Sequence, residues 1–349
     1  KSTIPSFYDF ESDFESDFES DLVMDQRLEA LEKWVQNQLG ERAYQIEPAS
    51  ADASFRRYFR VTTIHEEGEQ SRIVMDAPPD REETAPFIAI AETLRECGVE
   101  APEVFAIEGH QGYLLLSDLG SQSYLDQLSR ETVEPLYTEA MASLLQLQSR
   151  WPDSHRLPEY DHQLLLNEMN LFPEWYLQQH CEMNLTTQQH NLLQSQFKQL
   201  AESALQQPKV AVHRDYHSRN LMVIRAGQPG VIDFQDAVMG PITYDLVSLL
   251  RDCYIDWPRE DVERWARHYY LELNRAALIH AITWEQFLQW FDWMGVQRHL
   301  KAVGIFARLN HRDGKPGYLN DIPRTLGYLL EVTGRYDELS ELHQLLETL

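Results

Sequence analysis

Cationic side chains are scarce in this chain. Thirty Lys and Arg stand against 56 Asp and Glu over 349 residues, for a formal net charge of −26. A nucleic-acid surface needs a basic stripe, so that class of partner is excluded. No apolar run reaches the roughly 18 residues of a membrane-spanning helix, which excludes a membrane partner. Three cysteines, Cys97, Cys181 and Cys253, lie far apart and without metal-ligand spacing, as suits a reducing compartment. The start shows no charged-then-apolar-then-small leader pattern, and these absences together predict a cytoplasmic protein. Lysine is missing between Lys33 and Lys198, and glycine between Gly40 and Gly68.

Part of the acidity is local. Residues 1–23 repeat Asp-Phe-Glu-Ser three times and hold seven acids against Lys1, a net of −6. Such a low-complexity, like-charged stretch reads as an artificial or disordered extension, with Met24 as the natural start. Beyond it, Leu28, Leu31, Trp34, Val35 and Leu39 recur at helical spacing up to Gly40. Strands are predicted at 44–48, 55–64, 71–77, 103–108 and 112–116, with a helix over 84–97. The pattern then turns helical, with spans 121–149, 160–180, 186–206, 241–254, 258–276, 283–310 and 321–347 predicted.

The chemistry concentrates in His213-Arg214-Asp215-Tyr216-His217-Ser218-Arg219-Asn220, followed by Asp233 in Val231-Ile232-Asp233-Phe234. Apolar runs flank it, so strands deliver two carboxylates and a carboxamide to one point. Phosphoryl transfer from ATP uses this set: Asp215 to accept the proton of an attacking hydroxyl, Asn220 and Asp233 to hold Mg²⁺. Magnesium takes few protein oxygens and leaves its other positions to water and phosphate. In the competing reading, Asp215 and Asp233 are turn carboxylates capping strand ends.

The stretch resembles the aminoglycoside-phosphotransferase-type kinases, whose signature H-x-D-x-x-x-x-N and I-D-x-x-D is met by His213, Asp215, Asn220, Ile232, Asp233 and Asp236. Gly240 through Leu246 is similar to their G-x-x-x-x-D-L segment. Four further segments, 53–60, 74–79, 172–175 and 297–309, resemble the bacterial anomeric kinases that act on N-acetylmuramate and N-acetylglucosamine in cell-wall recycling. The resemblance covers about residues 24 to 349. It implies an α+β, bilobal, protein-kinase-like fold, with a β-rich nucleotide-binding lobe at 24–118 and a helical catalytic and acceptor-binding lobe at 119–349. It also implies ATP, Mg²⁺ and a small sugar as the partners, with no obligate protein partner.

The missing lysine matters here, because a kinase nucleotide lobe usually grips phosphate with a strand lysine. At that place the chain reads Ile73-Val74-Met75-Asp76. The phosphates must then meet arginine or metal, and Arg56 or Arg57 beside Ser54 and Phe55 is the expected substitute. Alternation along a strand sends Arg56 and Arg57 to opposite faces, and a solvated basic turn is the competing reading for either. Leu116 and Asp118 fall where the lobe connector bonds adenine. The acceptor is expected at Glu168, Trp175, Asp236, Arg298 and Arg308. Arg298, His299, Lys301, Arg308, His311 and Arg312 form a basic cluster, one of whose cations could bind the lactyl carboxylate of muramate, while surface salt bridging is the bland alternative. Asp236 has two candidate roles, holding a substrate hydroxyl or capping a turn. His213, Arg214 and Asp245 are read as structural support. Two other functions stay open: phosphorylation of aminoglycosides or other small hydroxylated amines, and a catalytically silent nucleotide-binding scaffold.

Overall fold

The computed structural model describes residues 26–40, 42–51, 55–65 and 68–349. The acidic extension at 1–23 and Ser54 lie outside the described residues. The chain divides into two compact units, one made of residues up to Ile88 with Glu103–Asp118, the other of Ala89–Pro102 with Leu119–Leu349.

The first unit is built on helix α1 (residues 26–39) and a five-stranded antiparallel sheet. Its strands are β1 (Tyr44–Ala51), β2 (Arg57–His65), β3 (Gly68–Asp76), β4 (Val104–Glu108) and β5 (Tyr113–Ser117), in the order β1-β2-β3-β5-β4. Period-2 alternation turns Phe59, Val61, Val74 and Leu115 inward, where they meet Leu31, Val35 and Leu39 of α1 and Tyr113. Register puts Arg57 directly opposite Asp76 on the neighbouring strand. Gly112 turns the β4–β5 hairpin at φ +74°, where an added Cβ would lie 1.8 Å from the carbonyl oxygen of Ala77, so only glycine fits. The boundary between the units falls inside helix α2 (Thr84–Glu96).

The second unit is helical around two short strand pairs. Helices α3 (Tyr124–Gln127) and α4 (Val133–Arg150) replace the single helix expected over 121–149. Ser123 starts α3 with a reciprocal capping box to Asp126, and Ser129 and Thr132 bond each other and the backbone in the intervening turn. Such hydroxyl side chains offer the backbone a partner outside the helix and break it. Helix α5 (His162–Leu171) runs into a π-helical stretch, Phe172–His180, then α6 (Thr187–Leu205). Strand β6 (Lys209–Val212) pairs with β9 (Val238–Pro241), and β7 (Leu221–Val223) with β8 (Pro229–Val231). Helix α7 (Tyr244–Leu250) is shorter than its predicted span of 241–254: Pro241 ends β9, and residues 251–254 are irregular. Then come α8 (Arg259–Arg275), α9 (Trp284–His311), α10 (Ile322–Thr333) and α11 (Ser340–Leu346), the last two separated at Gly334 rather than continuous over 321–347.

Helix α9 is the spine of this unit. All residues from Trp290 to Lys301 are buried, and α5, α6, α7, α10 and the π-helical stretch pack against it. A helix buried all round must satisfy whatever polar groups it carries. Among the described residues no helix is long and apolar enough to cross a membrane.

Candidate active site

Strand β6 delivers His213, and helix α7 fixes the loop that leaves it. The backbone N–H groups of His213 and Arg214 donate to the two carboxylate oxygens of Asp245, at 2.7 and 3.0 Å. Burial pushes the Asp245 carboxyl up to about 7, although both N–H groups pull the other way. The backbone N–H of Asp215 donates to Nδ1 of His213 at 3.2 Å. With Nδ1 accepting, Nε2 carries the proton and donates to the carbonyl of Ile232 at 3.0 Å. The ring is therefore neutral, and burial holds its pKa down at about 4. His213 and Asp245, read from the sequence as structural support, are thus bonded to the residue that follows β8 and to the loop, respectively. Arg214 braces too: at φ +78° it sends its guanidinium to the buried carboxylate of Glu168.

The three expected phosphoryl-transfer residues are brought together. Asn220 Nδ2 donates to the carbonyl of Asp215 at 3.1 Å and to Oδ2 of Asp233 at 3.2 Å. Asp233 sits at φ +63°, a costly conformation for a residue with a side chain, and Gln235 Nε2 steadies its Oδ1 at 2.8 Å. Among the described residues no group of three or more His, Cys, Asp or Glu is placed to hold a metal. An amide and a carboxylate are donors that fit magnesium, a hard ion that draws its remaining ligands from water and phosphate, once the Asn220 amide presents its oxygen in place of the nitrogen that here faces Asp233.

Asp215 opens on a pocket lined by His217, Tyr244, Cys253, Tyr254, Arg298 and Lys301, with Ala302, Ile305 and Phe306 completing the wall. Residues 298, 301, 302 and 305 follow the i, i+3, i+4, i+7 rule, so one face of α9 forms that wall. Burial alone would raise the Asp215 carboxyl. The charges of Lys301, His217 and Arg298 outweigh it and hold the group down at about 2. Lys301 is itself tied down: its Nζ lies 2.9 Å from Glu168 Oε1 and donates to Tyr244 Oη at 3.2 Å. Glu168 is the hub, since Arg214, Lys301, Tyr160 and Gln297 all converge on it.

The other expected site residues lie elsewhere. Trp175 is half-buried on the π-helical stretch and does not line this pocket, whose aromatic walls are Tyr244, Tyr254 and Phe306. Asp236 is exposed, and its backbone carbonyl accepts from Arg214 NH1 at 3.4 Å. Arg308 is half-buried on α9, beyond the pocket-lining residues. In the first unit, Arg56 pairs with Glu82 at 2.8 Å, and Arg57 donates to Asp76 at 2.9 Å. Asp76 is wholly buried and also bound by Arg27. Arg60 grips Asp118 with two bonds, at 2.6 and 3.1 Å. Leu116 is buried within β5, and Phe55 is exposed under the guanidinium of Arg81.

The sequence profile described as "Phosphotransferase enzyme family" matches residues 45–316. This chain belongs to that family. It is 44% identical to a protein of Pseudomonas putida KT2440 named N-acetylmuramate/N-acetylglucosamine kinase, over 93% of this chain and 97% of that one. A Neisseria meningitidis serogroup B protein of the same name is also 44% identical, over 92% and 95%. Among solved structures, the choline kinase LicA of Streptococcus pneumoniae matches with a TM-score of 0.57 at 13% identity, covering 87% of this chain and 99% of that one. The GDP and kanamycin complex of the aminoglycoside phosphotransferase APH(2")-IIIa matches at 0.58 and 16%, covering 86% and 97%. The fold of this phosphotransferase is thus the α+β kinase-like one, and the chain is a small-molecule kinase.

Several pocket residues of the phosphotransferase escaped the sequence reading: His217, Tyr244, Cys253, Tyr254 and Phe306. A signal was present for the α9 wall, where Arg298 and Lys301 fall three residues apart in a helix rich in large apolar residues. No local signal marked Tyr254, which lies in the irregular stretch after α7.

Proposed function

We propose that this phosphotransferase uses magnesium-ATP to phosphorylate the anomeric hydroxyl of N-acetylmuramate and N-acetylglucosamine, in the cytoplasmic reuse of cell-wall sugars. The observation that carries the proposal is the pocket at Asp215, lined by the aromatic rings of Tyr244, Tyr254 and Phe306 and by the cations Arg298 and Lys301. The names borne by relatives sharing 44% of their residues with this chain support the choice of sugars.

The chemistry is set by the residues at hand. Asp215 orients the sugar hydroxyl toward the γ-phosphorus. The oxygen–phosphorus bond forms, the bond to the β-phosphate oxygen breaks, ADP leaves, and the proton passes to the Asp215 carboxylate. A loose transition state needs positioning more than deprotonation. That suits a carboxylate held at about 2, which is a weak base. An anomeric hydroxyl is more acidic than a simple alcohol, so such a base suffices. Asn220 and Asp233 would hold the magnesium, which neutralises charge between the β- and γ-phosphates when bound. On the nucleotide side, the proposed contacts are Ser54, Phe55, Arg56 or Arg57, and the backbone around Leu116 and Asp118. Glu168, through Arg214 and Lys301, keeps the catalytic loop and the pocket wall in place, while Trp175, Asp236 and Arg308 remain candidates for an outer part of the acceptor site.

A polycationic aminoglycoside would meet Arg298 and Lys301 in this pocket, which disfavours that class of acceptor. Magnesium-dependent ADP release with N-acetylmuramate, N-acetylglucosamine, kanamycin and choline tests the proposal. Turnover is expected with the two acetylated sugars. Turnover with kanamycin or choline alone would overturn it, and none with any acceptor would favour a silent scaffold.

A further inference from the structure

The basic cluster on α9 contains six cations or histidines, and the structure separates them by what each already touches. His299 is buried, donates from Nε2 to the carbonyl of Arg251 at 2.9 Å, and stacks on Tyr328. Lys301 is neutralised by Glu168 at 2.9 Å. His311 and Arg312 are exposed at the far end of the helix, where Arg312 holds Asp313 at 2.6 Å. Arg308 lies outside the pocket lining.

Arg298 differs from all of these. It is only 6% exposed, yet among the described residues no carboxylate lies within the 4.0 Å of an ion pair. Among the described residues its one hydrogen bond is to a thiol, from NH1 to Cys253 Sγ at 3.6 Å. A thiol is a weak acceptor and leaves most of the five guanidinium N–H donors unspent. Two nearby acids offset its charge through space: Asp215 of the same pocket and, less strongly, Asp252, which is occupied by the backbone N–H groups of Ser218 and Tyr254, each at 2.9 Å. A buried, always-charged fork without a carboxylate is costly unless an anion arrives to meet it. The guanidinium lines the same pocket as Asp215, where the proposed function places the acceptor.

We infer that Arg298 reads a carboxylate on the acceptor sugar, and so sets the preference for N-acetylmuramate over its neutral analogue. The inference rests on the proposed function and narrows it to one residue. Of the two sugars, only muramate carries a carboxylate, on its lactyl arm. The planar fork suits that group with two parallel N–H···O bonds.

The test compares kcat/KM for the two sugars in wild type, Arg298→Lys and Arg298→Gln. A charge-assisted hydrogen bond lost from a buried site costs on the order of tenfold to a hundredfold. Arg298→Gln is expected to lower the muramate-to-glucosamine ratio by that factor, with Arg298→Lys between it and wild type. Equal losses on both sugars, or none on muramate, would overturn the inference. A wild-type enzyme inactive on both sugars would refute the proposed function instead. In that event, calorimetric titration of N-acetylmuramate into wild type and Arg298→Gln still decides: binding by the wild type that weakens in the variant supports the inference, and absent or equal binding rejects it. Thermal melting of each variant separates a folding defect from a lost contact, because the sugar ratio is read only from folded protein.

Discussion

At the scale of single residues, Asp215 combines proximity with weak basicity. Lys301 and Arg298 stand on the same pocket wall, and their charges keep the carboxyl ionised at about 2 against the opposing effect of burial. Because its ordinary value is near 3.9, the group stays a carboxylate through the whole physiological range. Asp215→Asn is therefore expected to lower kcat by roughly 10²–10⁴-fold, the usual worth of a positioned proton acceptor, with a much smaller change in sugar KM. The wild-type kcat/KM profile should show no acid limb from Asp215 above about pH 4. Coupled ADP-release kinetics check both; near wild-type turnover by the variant would remove Asp215 from its role. The strand expected to hold the missing lysine, Ile73–Asp76, ends in a buried acid, Asp76, and Arg57, on the neighbouring strand, pairs with that acid. The sequence showed the absence but not the partner, since cross-strand register is not written in either strand alone.

At the scale of elements, α9 carries most of what the site needs, and its packing depends on one glycine. A Cβ added at Gly304 would come within 2.4 Å of the backbone carbon of Leu171, where α5 passes into the π-helical stretch. At Gly295, on the same helix, the nearest atom is 3.7 Å away. Helix propensity alone favours alanine at both positions by about 1 kcal/mol. Gly304→Ala is nevertheless expected to destabilise the protein by about 1–3 kcal/mol through overpacking against backbone, while Gly295→Ala is neutral or stabilising. Urea unfolding measures both, and an equal gain from the two substitutions would show that the helices do not approach so closely. Periodicity made α1, α6, α8 and α9 legible to within a few residues, because their apolar stripes are long and bounded by clear stops. It missed the breaks in 121–149 and 321–347, where apolar residues on both sides of a short turn keep helical phase. Ser129 with Thr132, and Gly334, were the available signs.

At the scale of the whole molecule, the loop His213–Asn220 with Asp233 announced the chemistry, because the two acids and the amide are set by short spacings within one loop and one hairpin. The pocket at Asp215 was only partly legible. Its walls come from the loop, the start of α7, the irregular stretch at 253–254 and the middle of α9, segments far apart in sequence that meet only after folding. Arg298 was visible as one of six basic residues, and burial without a carboxylate partner singled it out. The chain is acidic overall, yet its pocket at Asp215 holds two cations, Arg298 and Lys301. Net charge describes the surface, and a buried site can depart from it.

The most direct test is NMR of the product formed from N-acetylmuramate and magnesium-ATP. A phosphorus coupled to the anomeric proton, with loss of the free reducing end, is the expected result. Phosphate on any other carbon, or unchanged sugar alongside intact ATP, would contradict the account.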